Sequence, residues 1–350
     1  MIESVKIQNF RCFSELEVSG LKPINIIVGE NASGKSAFLE SIFISSGAVP
    51  QVAFQLRAFR QLGNQIELQA NIASYWSLWE DIFYQFDLEK TISIEIDGAL
   101  NSSRSLRVRR TTETSQTVPF GTQVIPPPAT PLLSFEWTRK GADTVIVVPR
   151  IKGTGLVFDG HSLDFFPTFF FGPHISDLPN ENADRLSSLS KNGKLEPVVA
   201  AMKGEFPFIK NLLIEIYSGG PMVYAEVDGT SRKFPVALIS DGVNKLLSIL
   251  LAIANFPNGT VLIDQIEDGF YFKKMPSIWK VIRSFAKDNN TQIFATTHSQ
   301  ECLTALLPTL EANQEDFALL HASRAGDSAR FTVANGRRFL SALSQEFELR

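Results

Sequence analysis

Residues 28–38, VGENASGKSAF, constrain this chain more than any other stretch. The spacing Gly29-x-x-x-x-Gly34-Lys35-Ser36 fits a phosphate-binding loop, in which backbone N–H groups converge on phosphate oxygens. The run Ile24-Asn25-Ile26-Ile27-Val28 before it reads as a buried strand, and residues 36–44 after it read as a helix. That order sets the positive end of a helix under the same phosphates. Gly29, Asn31, Ala32, Ser33, Gly34 and Ala37 then line the loop, Lys35 reaches the β- and γ-phosphates, and the Ser36 hydroxyl ligates Mg²⁺. The competing reading is a glycine-rich turn with no ligand. The strand and helix on either side favour the phosphate loop.

The C-terminal third supplies the partners such a loop requires. From residue 235 the pattern alternates helix 242–255, strand 260–264, helix 274–288, strand 291–296, helix 299–308, strand 316–321 and a short strand near 329–334. Alternation of this kind argues for an α/β fold with a mostly parallel sheet. Residues 1–49 and 235–350 are therefore expected to form one nucleotide-binding core. Residues 50–234, with β-like segments at TISIEID, SLRVRRT, LLSFEWTR, TVIVVPR and GLVFD, are expected to form an inserted β-rich lobe. Residues 1–19 and the pair NLLIEIY and MVYAEVDG read as hairpins.

Three further motifs bear on chemistry. Thr260-Val-Leu-Ile-Asp264 is an apolar strand ending in a carboxylate, the arrangement that holds Mg²⁺ beside a phosphate loop. Gln265 follows it; a glutamine can orient water but cannot take its proton. Glu267, two residues on, is either a substitute acid or a surface acid, and a surface or lobe-bracing role is favoured. Phe294-Ala-Thr-Thr-His298-Ser299 sets a histidine just past another apolar strand, where a neutral imidazole can bond the γ-phosphate. Ser240-Asp241-Gly242 opens a helix. Taken alone it reads as an N-cap; with the other motifs it reads as an anion clamp facing a phosphate held by another subunit.

These motifs, in this order, resemble the ABC-type ATPase heads of the SMC and RecF class, over residues 1–47 and 235–305. The opening Ile7-Gln-Asn9-Phe10-Arg11 is similar to the first strand of those heads. ISDG, LIDQIEDGFYF and FATTHSQEC are similar to phrases of stand-alone bacterial ATPases related to the OLD (overcoming-lysogenization-defect) family. The resemblance implies a P-loop, SMC-head-like fold with a β-rich second lobe, and ATP and Mg²⁺ as cofactors. It implies a head-to-tail homodimer with two ATP molecules sandwiched between Gly29–Ser36 of one copy and Ser240–Gly242 of the other. Asp264, Gln265 and His298 take the catalytic positions, and Ser36 and Asp264 the metal. The chain departs from the pattern twice. Gln265 stands where relatives carry an acid, and Tyr271 where they often carry histidine. The ending Phe347–Arg350 resembles the natural end of such heads, which implies no appended nuclease domain.

Function is read three ways. The first is an ATPase whose dimer cycle drives a DNA-related or antiphage-defence output. The second is a slow ATP switch that docks a separate effector, such as a nuclease or toxin. The third and weakest is a small-molecule kinase, which has no use for the Ser240–Gly242 clamp or His298. The formal net charge of −4 gives no global pull toward nucleic acid, so DNA contact needs a local patch. Arg107 and Arg109 share a strand face, and are read as a charged edge strand that resists aggregation. The two cysteines, far apart, suit a reducing cytoplasm. No apolar run reaches membrane-spanning length. Tyr75, Trp76 and Trp79 read as core, the FFPTFFF run at 165–171 as a buried strand or lobe interface, and residues 111–131 as an exposed loop. His161, His174 and His321 show no metal spacing.

Overall fold

Six consecutive buried residues, Ile24–Gly29, form the strand that carries the glycine loop. Burial on both faces marks the middle of a covered parallel sheet. The computed structural model describes residues 1–47, 49–60, 72–98, 103–113, 130–152, 155–159, 166–172 and 179–344. We call Ile24–Gly29 β3. Its sheet holds β9 (Thr168–Phe171), β13 (Thr260–Ile263), β14 (Gln292–Thr296), β15 (Phe317–Ala325) and β16 (Ser328–Asn335), in the order β16-β15-β3-β14-β13-β9. All neighbours are parallel except β15–β16. The carboxyl ends of β3, β13 and β14 thus lie along one edge, where ligands of open α/β sheets bind.

A second sheet is antiparallel throughout, in the order β2-β1-β4-β5-β6-β7-β8. Its strands are β1 (Ile2–Phe10), β2 (Phe13–Ser19), β4 (Ile92–Gly98), β5 (Arg104–Glu113), β6 (Thr130–Arg139), β7 (Val145–Lys152) and β8 (Gly155–Asp159). Helix α1 (Lys35–Ser46) packs against both sheets and is buried around most of its circumference. Phe38, Leu39 and Ile42 join residues of both sheets in one core. Helices α2 (Gln51–Phe59) and α3 (Ile72–Ser77) close this core, with Tyr75 and Trp79 fully buried, as their spacing suggested.

The other face of the parallel sheet carries α4 (Pro179–Lys191), α5 (Glu196–Glu205), α6 (Val236–Ile239), α7 (Asp241–Asn255), α8 (Met275–Asp288), α9 (Gln300–Glu311) and α10 (Arg337–Ser344). A small sheet of β10 (Ile209–Tyr217), β11 (Gly220–Val227) and β12 (Lys233–Pro235) packs there too. Among the described residues no helix is long and apolar enough to cross a membrane.

One expectation changes, and the sheets run across an expected boundary. The division at residues 49/50 and 234/235 does not follow the sheets. The 1–19 hairpin pairs with β4, while the Phe-rich β9, from the supposed insertion, sits beside β13 in the parallel sheet. Phe170 and Phe171 of this end strand are buried in the cores on opposite faces of the sheet, which is how chain from one lobe completes the other. Gln292 ties the two sheets together: its amide accepts from Ile2 N–H at 2.7 Å and donates to the Ile2 and Lys22 carbonyls at 2.8 and 2.9 Å. Nor is β5 an edge strand; β4 and β6 flank it, and Arg109 bonds Glu136 at 2.7 Å while Arg110 pairs with Glu89. His161, His174, Phe165, residues 114–129 and Phe347–Arg350 lie outside the described residues.

Candidate nucleotide site

The loop between β3 and α1 has room for glycine alone at two points. Gly29 has φ +139°, and a Cβ there would lie 2.0 Å from the Ala322 carbonyl oxygen on β15. Gly34 has φ +97°, and a Cβ would meet Cys12 Sγ and the Phe13 ring at 3.0 Å. Ala32 also takes a left-handed φ of 60°. The loop therefore wraps tightly onto the N-terminus of α1, as an anion cradle requires.

Lys35 is buried, and its ammonium donates to the Gly29 and Glu30 carbonyls at 2.8 and 2.7 Å. Burial lowers its pKa to about 8, against the opposing pull of Asp264 and Glu267. A lysine that is poorly solvated and close to two acids is primed to gain from a triphosphate's charge.

Asp264 follows the last residue of β13 and is 4 % exposed. Thr296 Oγ1 donates to its Oδ1, while Oδ2 is buried with no hydrogen-bond partner. A stranded carboxylate oxygen is a hard donor that suits Mg²⁺, and the Ser36 hydroxyl, in the first turn of α1, would be the second. Among the described residues no group of three or more His, Cys, Asp or Glu forms a metal cage. The fit is to Mg²⁺ shared with phosphate oxygens, which is how that ion is usually held.

Gln265 has φ 55°, an uncommon conformation for a side chain of this kind. Its backbone is held on both sides: its N–H donates to Thr296 Oγ1 at 2.8 Å, and its carbonyl accepts from Lys245 Nζ at 2.8 Å. Thr296 thus serves both Asp264 and Gln265. Sequence reasoning missed it, although a hydroxyl at the end of the all-buried β14 was a signal. Glu267 does brace the site, since its Oε1 accepts the His298 backbone N–H at 2.8 Å. Burial and the Lys35 charge lower the His298 pKa, so the imidazole is neutral at pH 7 and above.

Val28, Gly29, Glu30, Asn31, Thr297 and His298 line a cleft of about 320 Å³, closed by Gln300 and Leu303 of α9. Of the predicted site residues, Gly29, Asn31 and His298 line it, whereas Ala32–Ala37, Asp264, Gln265 and Ser240–Gly242 do not. Ser240 Oγ accepts the Val243 N–H at 3.2 Å as an N-cap, and Gly242 packs so closely that a Cβ would lie 2.8 Å from the Gly269 carbonyl oxygen. One chain therefore presents two helix N-termini: that of α1, which follows the loop whose residues 29–31 line the cleft, and that of α7, packed against the Gly269 turn.

A phosphate loop, a strand-end aspartate on a parallel sheet and an antiparallel sheet built on the N-terminal hairpin give this chain an SMC-head-like P-loop fold, and the comparisons support an SMC/RecF-like ATPase. The family described as "AAA ATPase domain" matches residues 1–116, and "AAA domain, putative AbiEii toxin, Type IV TA system" matches residues 161–303. The chain is 26% identical to an "ATP/GTP phosphatase" of Helicobacter pylori, across 91% of this chain and 90% of that protein. It is 41% identical to the DNA replication and repair protein RecF of Idiomarina loihiensis over 61 residues, 17% of this chain and 16% of that one. Among solved structures, the SMC head bound to the C-winged helix domain of ScpA has the same fold: TM-score 0.52, 12% identity, covering 95% of this chain and 98% of that one.

Proposed function

We propose that two copies of this chain close around two ATP molecules, and that nucleotide state drives a DNA-related or antiphage-defence output. The observation that carries this reading is the separation of the two helix N-termini. Gly29, Glu30 and Asn31 of the phosphate loop line the cleft, while the Ser240-capped end of α7 contributes no residue to it and packs against the Gly269 turn. A twofold axis that sets each α7 against the partner's loop gives every triphosphate two positive ends. In that arrangement the loop amides of residues 29–37 cradle the phosphates, Lys35 neutralises the γ-phosphate, and neutral His298 donates to it. Ser36 and Asp264 would hold Mg²⁺, which would supply charge neutralisation for phosphoryl transfer.

Gln265 supports a second reading, a slow switch that hydrolyses little and docks a separate effector such as a nuclease or toxin. The unpaired Cys12 and Cys302 suit a reducing compartment, and we place the protein in the cytoplasm. Light scattering with and without ATP and Mg²⁺ tests the assembly. The 38.8 kDa mass of the chain should double with ATP and should not change for Lys35→Ala. A mass unmoved by ATP in a protein that binds ATP contradicts the sandwich.

A further inference from the structure

Bracing the His298 backbone takes one acceptor oxygen, and Glu267 commits Oε1 to it. Its other oxygen, Oε2, is buried and has no donor. Bracing alone does not account for the second oxygen, which stays bare and buried. A stranded buried acceptor costs about 1–3 kcal/mol, and more when charged, so an unpartnered carboxylate oxygen calls for a reason beyond bracing. Asp264 Oδ2, at the start of the same loop, is in the same condition.

The loop's geometry points the same way. The left-handed Gln265 turns the chain between the two acids, and Thr296 and Lys245 hold that turn from β14 and α7. Glu267 is thereby brought back against the His298 loop that lines the cleft. Lys35 from α1 feels both carboxylates. The residue directly after Asp264 is neutral, so residue 267 is the next acid in the loop.

We propose that Glu267 is the proton acceptor for ATP hydrolysis, supplying from two residues further on the carboxylate that residue 265 lacks. The assignment rests on ATP occupying the Lys35 loop as set out above. The attacking water's oxygen bonds to the γ-phosphorus, and the bond from that phosphorus to the β,γ-bridging oxygen breaks. Its electron pair leaves on ADP, and the water's proton passes to Glu267 Oε2. Gln265 orients the same water by hydrogen bonding.

Glu267→Gln keeps an acceptor for His298 N–H and removes the base; Glu267→Ala removes both. Three readouts are compared with the unaltered chain and with Gln265→Glu: affinity for a fluorescent ATP analogue, ATP turnover, and the fraction of nucleotide recovered as ATP from the isolated dimer. Both 267 variants should bind nucleotide within about threefold of the unaltered chain and lose about 100-fold or more in turnover, the range a positioned base supplies. Their dimers should retain intact ATP after the unaltered dimer has converted its own to ADP. Turnover of Glu267→Gln close to that of the unaltered chain, with loss only in Glu267→Ala, reduces the residue to a brace and overturns the proposal. An unaltered chain that binds ATP without hydrolysing it, beside an active Gln265→Glu, overturns it as well. A chain that binds no ATP fails at the Lys35 loop, and the reading of that loop falls with the proposal.

Discussion

Raising the pH from 7 to 9 should weaken ATP binding through one side chain. Burial depresses the Lys35 pKa to about 8, and a triphosphate against the ammonium holds the proton on. The apparent Kd then scales as one plus ten to the power of pH minus eight. It rises by about tenfold between pH 7 and pH 9, and binding takes up about 0.1, 0.5 and 0.9 proton at pH 7, 8 and 9. Few neighbours confuse the window. His298 is already neutral there, and the Cys12 and Cys302 thiols, pushed by burial to about 11 and 12, stay protonated. Lys245, also lowered by burial, touches Gln265 rather than the loop, and Lys245→Met serves as its control. Titration calorimetry in buffers of different ionisation enthalpy counts the protons directly. The free protein should respond with the opposite sense. The unfolded chain binds the extra proton between about 8 and the ordinary lysine value of 10.5, so stability rises with pH across that window. Affinity flat within about twofold from pH 7 to 9, with no proton uptake, refutes the reasoning that burial governs this lysine.

Gly29→Ala places a methyl 2.0 Å from the Ala322 carbonyl oxygen, so it should push β3 off β15, lower the melting temperature sharply and abolish nucleotide binding. Thr296→Val strands both Asp264 Oδ1 and the Gln265 N–H, at about 1–3 kcal/mol each; thermal unfolding should register the loss, and Thr296→Ser should restore most of it. Gly242→Ala meets the Gly269 carbonyl oxygen at 2.8 Å and shifts the start of α7. Nucleotide affinity of the single chain should hold, while the ATP-driven mass increase measured by light scattering should vanish.

Local signals carried the loop and the strand–helix order. Gly29, Gly34 and Lys35 are read directly because a tight turn and a phosphate each demand a narrow residue type. Asp264 and His298 are read because each follows a short apolar strand of the parallel sheet. What stayed hidden is set by long-range contact. The Phe-rich strand β9 gives no sign, within its own residues, that its neighbour is β13, ninety residues away along the chain. The pairing of β1 with β4, across the expected lobe boundary, leaves no local mark either. Arg107 and Arg109 suggested an edge because charge is common there; instead Arg109 pairs with Glu136 on the adjacent β6, and Arg107 stands opposite that same glutamate in register. Glu267 looked like one more surface acid, and only the fold shows that one of its oxygens is enclosed.

The central claim is that each nucleotide is gripped by halves from two chains. Mixing Lys35→Ala with Ser240→Arg tests it most directly, because each variant spoils one half and leaves the other intact. Neither alone should form the ATP dimer, whereas the mixture should regain it with one tightly held ATP per pair. A folded, mixed sample that shows no regained dimer, or a Ser240→Arg chain that dimerises on ATP unaided, contradicts the claim.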